Sequence, residues 1–122
     1  GGYDGGGKSK NAKGPGRGAN RQYGNDGTGG AYGKEGVKPN GTNAQYGNVN
    51  GDYHLTDLLG GSGGGGGQYR AGGAGGGAIE LVAHGAGLLK LNTGSKITVN
   101  GGDTNDANRG GGGGAGGSIK LV

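Results

Sequence analysis

Residues 72–82 read GGAGGGAIELV and residues 112–122 read GGGAGGSIKLV, so a glycine run followed by a short apolar stretch occurs twice. In this alignment Ile79 matches Ile119, 40 residues further along the chain. Apolar residues alternate with others at the end of both copies, which is the period of a β-strand with one buried face. Because repetition on this scale is typical of stacked structural units, the duplicated stretch predicts a repetitive, extended architecture.

Glycine dominates the composition. Of the 122 residues 41 are Gly, whereas Cys, Met, Trp and Phe are absent. Leu, Ile and Val together number 16, too few for a conventional core throughout the chain. The order of the chain must then depend on peptide N–H and C=O groups that pair between closely packed extended segments. A collagen triple helix is excluded, because there are only two prolines and no regular Gly-x-y period.

Two regions of different composition follow one another. Residues 1–54 are rich in Gly, Tyr and Asn, and their Tyr rings are expected to pack on glycine surfaces between turns. Residues 55–122 hold 14 of the 16 large aliphatic residues and form the strand repeat. We expect the two regions to make one continuous structural unit.

The second region is predicted to contain four short strands joined by turns. Their aliphatic side chains form the predicted core: Ile79, Leu81, Leu89, Leu91, Ile97, Val99, Ile119 and Leu121. The predicted fold class is all-β, a glycine-rich layered structure of the β-solenoid type with polyglycine-type extended segments and no helix. An antiparallel β-meander is the alternative, since the strand period alone does not separate the two.

Several low-complexity stretches carry a resemblance to a known group of proteins. These are residues 57–63, 75–83, 97–103 and 119–121, which read DLLGGSG, GGGAIELVA, ITVNGGD and IKL. Over residues 55–122 the chain resembles large glycine-rich surface proteins with autotransporter-like β-helical repeats. The resemblance implies a β-solenoid, an extracellular location and an adhesive or scaffolding role, and it brings no catalytic residues. The long glycine runs are also similar to those of polyglycine-helix adhesins on phage tail fibres.

The second copy of the repeat stops within a predicted strand. An open strand edge serves assembly in fibres, because its unpaired backbone groups accept a strand of another chain. The predicted assembly edge consists of Ser118, Ile119, Lys120, Leu121 and Val122. We expect it to pair with the next copy of the same chain.

The chain is mildly basic, with a formal charge of +4 from 12 Lys and Arg against 8 Asp and Glu. Such an excess could attract an anionic glycan or a nucleic acid, although a solvated surface is the simpler interpretation. Tyr residues interleaved with Lys and Arg are also a feature of glycine-rich RNA-binding tails. Arg-Gly-Gly occurs only at Arg109, however, and a strand repeat has no place in such tails. No nucleic-acid partner is therefore predicted.

Residues 2–9 satisfy the P-loop pattern letter by letter. A phosphate-binding loop needs a buried strand before it and a helix after it, so that backbone N–H groups converge on the phosphate. Here residues 10–18 contain Pro15 and three glycines, which oppose a helix. Nucleotide binding is therefore not predicted.

An incomplete calcium pattern lies at Asp103, Asn105 and Asp106, where oxygen ligands cluster after a predicted strand. A calcium loop of the EF-hand type would need an oxygen ligand where Ala107 stands and a Glu at its twelfth position. A polar solvated turn is the favoured interpretation. No metal and no cofactor is predicted.

Catalysis is not predicted either. His54 and His84 lie far apart in the sequence, and neither has a nucleophile or a carboxylate at a suggestive spacing. Asn40, Gly41 and Thr42 form a sequon, so Asn40 is a glycosylation candidate if the source glycosylates secreted proteins.

These observations predict a structural subunit of an extracellular filament, fibre or surface coat, assembled from copies of itself through backbone hydrogen bonds and strand edges. The alternative is an adhesin or other surface-binding protein, with glycans or ice as its target. The six Thr residues are scattered and form no ladder of the kind that ice binding uses. The expected location is extracellular or at the cell surface. No membrane span is expected, because no apolar run approaches about 18 residues.

Overall fold

The computed structural model describes residues 2–20, 26–37, 47–104 and 110–122. Within these ranges there is no helix, and the two strands are short: β1 spans Ala78–Leu81 and β2 spans Ser118–Leu121. Most of the other described backbone runs in extended segments joined by turns. The fold is therefore held mainly by hydrogen bonds between extended glycine-rich segments.

One of these segments, residues 61–67, lies at the centre of the molecule, and all its residues are buried. We call it the central segment. Six other segments surround it, and each is joined to it by backbone hydrogen bonds. In order around the centre, these ring segments are residues 2–9, 10–13, 16–20, 27–31, 110–117 and 72–77.

The central segment donates hydrogen bonds at intervals of three residues. The N–H groups of Gly61 and Gly64 reach the carbonyl oxygens of Gly76 and Gly73, at 2.8 and 2.9 Å. Three residues per turn is the period of a polyproline II helix, in which successive peptide groups point in three directions. One such helix can therefore donate to three different neighbours, and here those are segments 72–77, 10–13 and 27–31.

The carbonyl groups of the central segment accept bonds from the other three ring segments. Gly61 and Gly64 accept from the N–H groups of Tyr3 and Gly6, at 3.1 and 2.9 Å. Segments that donate to the centre thus alternate around the ring with segments that accept from it. This arrangement satisfies the buried backbone without a sheet.

Neighbouring ring segments also bond to one another. Ala31 donates its N–H to the carbonyl of Gly16 at 2.8 Å, which joins two successive segments. The circle closes where Gly75 donates to the carbonyl of Tyr3, also at 2.8 Å. The result is a hexagonal bundle of seven extended segments, to which residues from both composition regions contribute.

Close packing at the centre requires glycine. A Cβ atom built on Gly65 would collide with the carbonyl oxygen of Ala19, which is backbone and has no rotamer to change. Each ordered Gly costs about 0.5–1 kcal/mol more than Ala in conformational entropy. A net contribution of about 0.5–1.5 kcal/mol per backbone hydrogen bond is of the right size to offset this cost.

Two hydroxyl side chains complete the backbone network inside the bundle. Thr28 and Ser62 are fully buried. The Thr28 Oγ1 accepts a bond from the Ala19 N–H at 2.7 Å, and the Ser62 Oγ accepts one from the Gly16 N–H at 2.9 Å. Both N–H groups donate to a side-chain oxygen, so each hydroxyl takes the place of a backbone carbonyl acceptor.

Tyrosine rings cover glycines at the bundle surface. The ring of Tyr3 lies against Gly14, where a Cβ would come within 2.8 Å of ring carbons, and Tyr32 lies in the same way against Gly51. Both glycines have positive φ, 103° and 76°. Other residues are therefore disfavoured there by both backbone conformation and the ring.

The duplicated stretch continues from the bundle into the sheet. Its glycine halves are adjacent ring segments, and its apolar halves, β1 and β2, pair in parallel with Ile79 opposite Ile119. Residues that are 40 positions apart in the repeat are therefore opposite each other in the sheet. Large side chains do not fit between such closely packed segments, so the backbone changes to pairwise strand pairing where the glycines end.

The predicted all-β solenoid is wrong. The described residues form one open, two-stranded parallel sheet and are otherwise mostly irregular or extended, so no β-solenoid is present. The antiparallel meander is also wrong, because β1 and β2 run parallel. The alternating aliphatic residues predict strands at Leu89 and Leu91 and at Ile97 and Val99. These residues lie outside both strands.

None of the eight predicted core residues is fully buried. Ile79, Leu81, Ile97, Val99 and Ile119 are half-buried, and Leu89, Leu91 and Leu121 are exposed. The interior is instead built from backbone, and the only buried hydrophobic side chains among the described residues are Ala12 and Ala31. A lattice of glycine segments leaves no internal space for a large aliphatic side chain.

Candidate assembly surface

The sheet formed by β1 and β2 extends beyond the end of the central segment and is fixed there by Ser118. This residue is 3% exposed. Its Oγ donates a 2.7 Å hydrogen bond to the carbonyl of Leu59, just before the central segment begins. The first residue of β2 is thereby anchored to the bundle, and the rest of the strand runs outward to the exposed Leu121.

Charged side chains occupy one face of the sheet. The Lys120 Nζ lies 3.1 Å from the Glu80 Oε1, and the two residues are paired in register. Both side chains are more than a third exposed, so the ion pair contributes only about 0–1 kcal/mol to stability. Ile79, Leu81 and their β2 counterparts occupy the opposite face.

Backbone hydrogen bonds join the edges of β1 and β2 that face each other, and every second residue of a strand takes part in them. Val122 donates to Leu81 at 2.9 Å, and Ala83 donates to Val122 at 2.8 Å. Ser118 donates to Gly77 at 3.3 Å. Since peptide groups of successive residues in a strand point to opposite edges, these bonds identify which residues face inward.

The remaining residues present their N–H and C=O groups at the outer edges. On β1 and the residue after it these are Ala78, Glu80 and Val82, and on β2 they are Ile119 and Leu121. The described part of the chain supplies no third strand to cover either edge. Just before β2, Gly117 donates its N–H to the carbonyl of Val99 at 2.8 Å. Beyond that contact, the two outer edges present open donors and acceptors.

The two outer edges are complementary to each other. In a parallel ladder, a residue of one strand bonds to the residues before and after its opposite on the other. Ile119 would fit between Ala78 and Glu80 of a second copy, and Leu121 between Glu80 and Val82. This is the register in which the strands already pair within the chain. This pairing would supply four intermolecular backbone bonds.

Exposed apolar side chains accompany the sheet. Six large hydrophobic residues from this part of the chain are exposed: Val82, Leu88, Leu89, Leu91, Leu121 and Val122. Leu88 is 82% exposed and follows Gly87, which turns back towards the side chain of Ala83 at the end of β1. Exposed apolar residues mark interaction sites where they form a contiguous patch.

The predicted calcium ligands are only partly described. Asp103 is exposed, and Asn105 and Asp106 lie outside the described residues, as does the glycosylation candidate Asn40. Among the described residues no three His, Asp or Glu side chains are grouped closely enough to hold a metal ion.

The segment that matches the P-loop pattern uses its N–H groups within the bundle. Gly6 and Ser9 donate to the carbonyls of Gly64 and Gly67, both at 2.9 Å. These donors are therefore occupied by peptide acceptors. Residues 10–13, which follow, are a ring segment and not a helix.

The two histidines lie in exposed turns. His54 stacks on Tyr53 with ring centroids 3.9 Å apart. In the same turn the backbone N–H of Thr56 donates to Asp52 at 3.0 Å, and this bond is the main cause that holds the pKa of the Asp52 carboxyl below its ordinary value. His84 lies in the turn after β1. The structure brings neither histidine into a catalytic arrangement with the other.

Sequence reasoning did not identify Ser62 and Thr28 as structural residues. Each is a small hydroxyl residue flanked by glycines, at residues 61–63 and 27–29. A lone Ser or Thr within a glycine run is the signal that could have identified them, since only a short side chain fits such a lattice.

No protein-family model matches the sequence, and no curated protein or solved structure is detectably similar to it. No helix among the described residues is long and apolar enough to cross a bilayer.

Proposed function

We propose that this protein is a structural subunit that assembles head to tail, through the outer edges of β1 and β2, into an extracellular filament or coat. The observation that carries the proposal is the complementarity of the two edges. Ile119 and Leu121 on one edge match Ala78, Glu80 and Val82 on the other, in the register already used within the chain.

The geometry favours an open assembly. The two outer edges belong to different strands of the sheet. A contact between β2 of one copy and β1 of the next therefore leaves one free strand edge at each end of the assembly. Such a heterologous contact gives a ring if its rotation closes and a filament if it does not. Pairing of strands that carry the same sequence repeat extends the sheet by one identical unit at a time.

Charge gives the assembly a direction. Adding β2 to β1 of another copy places Lys120 beside Glu80, as within the chain. Pairing β1 with β1, or β2 with β2, centred on these residues would oppose two glutamates or two lysines. Like charges directly opposite on neighbouring strands are destabilising, so both symmetric dimers are disfavoured.

The bundle suits a mechanical role. Its backbone groups are paired within one chain, so each subunit holds its own shape before it assembles. Four intermolecular bonds at about 0.5–1.5 kcal/mol each, together with exposed apolar side chains, provide a modest contact energy. Assembly is therefore expected to depend strongly on concentration.

The test removes one outward N–H. In Leu121→Pro the outward donor is lost, whereas the inward bonds of Val122 and Ser118 remain, and proline is tolerated at such edge positions. Leu121→Ala, which keeps the N–H, is the matched control. Sedimentation velocity and electron microscopy should show concentration-dependent filaments for the wild type, fewer for the Ala variant and none for the Pro variant. A wild-type chain that stays monomeric at high concentration contradicts the proposal.

A further inference from the structure

The charged residues of the bundle are confined to one side of it. Three consecutive ring segments, residues 2–9, 10–13 and 16–20, carry Asp4, Lys8, Lys10, Lys13 and Arg17. The other three ring segments, residues 27–31, 72–77 and 110–117, contain no charged residue. We call the four cations Lys8, Lys10, Lys13 and Arg17 the basic flank.

The region around the basic flank accounts for the excess of positive over negative charge among the described residues. Over residues 2–20 its four cations face one carboxylate, Asp4. In the rest of the described chain five Lys and Arg face six Asp and Glu. The positive potential is therefore concentrated on half of the bundle and is not spread over the molecule.

The four cations are exposed on a backbone that is held in place. Lys10 and Lys13 offer their carbonyls to Gly66 and Gly63 of the central segment, at 2.9 and 3.1 Å. Their spacing of three residues is one turn of a polyproline II helix, so the two side chains leave the bundle in similar directions, separated by about 9 Å along its axis. Lys13 is paired with Asp4 at 3.0 Å, but both side chains are more than 70% exposed and free to exchange partners.

We propose that the basic flank binds a linear anionic polysaccharide, with sulfate or carboxylate groups that contact Lys8, Lys10, Lys13 and Arg17. Lys10 and Lys13 follow one another along one straight ring segment, with Lys8 and Arg17 on the segments to either side, and such a rigid basic surface fits a stiff polyanion. Nucleic-acid single strands are bound by aromatic rings on which bases stack. The only aromatic residue in these three ring segments is Tyr3, and its ring packs against Gly14.

This site is separate from the strand edges that carry assembly. It lies on ring segments 2–9, 10–13 and 16–20, whereas the sheet continues from segments 72–77 and 110–117. Binding at the basic flank would let an assembled array attach to an acidic glycan matrix. The proposal does not depend on assembly, because one chain presents all four cations.

The test measures affinity for a heparin octasaccharide as a function of salt. The wild type should bind it, with an affinity that falls steeply between about 50 and 200 mM salt. In Lys10→Gln/Lys13→Gln the affinity should fall at least tenfold, and the slope of log K against log salt should drop by about 0.7–0.9 for each lysine removed. Lys10→Arg/Lys13→Arg should retain binding.

The matched control is Lys90→Gln/Lys96→Gln, which removes the same charge from exposed positions outside the ring segments. It should leave both affinity and slope nearly unchanged. Amide exchange of the central segment in each variant shows that the bundle is intact. An equal loss in both double variants, no binding at low salt, or equal affinity for a single-stranded oligonucleotide of matched charge would overturn the proposal.

Discussion

The N–H of Gly64 donates a 2.9 Å hydrogen bond to the carbonyl of Gly73, which joins the central segment to a ring segment of the duplicated stretch. Neither residue has a side chain, so nothing but the peptide groups holds this contact. The same type of bond recurs from the central segment to all its neighbours. Stability should therefore respond to changes that push segments apart more than to changes in aliphatic side chains.

Gly64→Ala should destabilise the bundle. A Cβ at this position would collide with the backbone of Gly112, which cannot move aside without breaking other bonds. We expect a loss of about 1–3 kcal/mol or more in the free energy of unfolding, measured by denaturant titration.

Gly33→Ala is the matched control for Gly64→Ala. No atom lies within 4 Å of a Cβ at Gly33, and the residue is exposed. Because Ala restricts the unfolded chain, this change should raise stability by about 0.4–1 kcal/mol. A loss of stability at Gly33 as large as that at Gly64 would contradict the importance of close backbone packing.

Ser62→Ala should cost about 1–3 kcal/mol, because it leaves the N–H of Gly16 buried without an acceptor. Ser95→Ala changes an exposed hydroxyl and should have little effect. Thermal unfolding followed by circular dichroism distinguishes the two. Equal melting temperatures for both variants would show that the Ser62 hydroxyl is not needed as an acceptor.

The turn at Asp52 should open in acid. The backbone N–H of Thr56 lowers the pKa of the Asp52 carboxyl below its ordinary value of 3.8. A group with a lowered folded-state pKa stabilises the fold above its unfolded pKa and loses that effect as the pH falls through the folded value. The amide proton of Thr56 should therefore shift with a midpoint below 3.8, and this shift should be absent in Asp52→Asn. A midpoint above 3.8 in the wild type would contradict the hydrogen bond.

Charge reversal tests the direction of assembly. Glu80→Lys places like charges opposite each other both within the sheet and between copies, and should abolish assembly while costing the folded monomer only about 1 kcal/mol. Glu80→Lys combined with Lys120→Glu restores every opposite-charge pair. Sedimentation should show filaments again for this double variant. Filaments from Glu80→Lys alone would exclude the proposed ladder.

The repeat could be recognised from the sequence because it depends on residues with side chains. Ile79 and Ile119 mark equivalent positions, and the sheet aligns them. The arrangement of the glycine segments could not be derived in this way. A glycine run that slides by one residue changes no side-chain contact, so its pattern contains no information about which neighbour it meets.

The prediction of a solenoid failed on a physical point. The alternation at Leu89 and Leu91 predicts a strand, but a strand needs a partner and a face to bury. The backbone groups of the bundle are paired within the bundle, which therefore offers this segment no partner strand and no apolar face. Leu89 and Leu91 remain exposed in the loop between the two repeat copies. Of the predicted assembly edge, Ile119 and Leu121 face outward, whereas Ser118 and Val122 bond inward to the chain of β1. The complementary edge on β1 followed only from the parallel register.

Amide hydrogen exchange, resolved by residue with NMR, tests the central claim most directly. The N–H groups of Gly63, Gly64 and Gly65 are buried and bonded to three different ring segments, so they should be among the slowest to exchange in the protein. Gly85 and Gly94, in exposed turns, should exchange rapidly. Exchange across the central segment as fast as at Gly85 and Gly94 would contradict a fold held together by its glycine backbone.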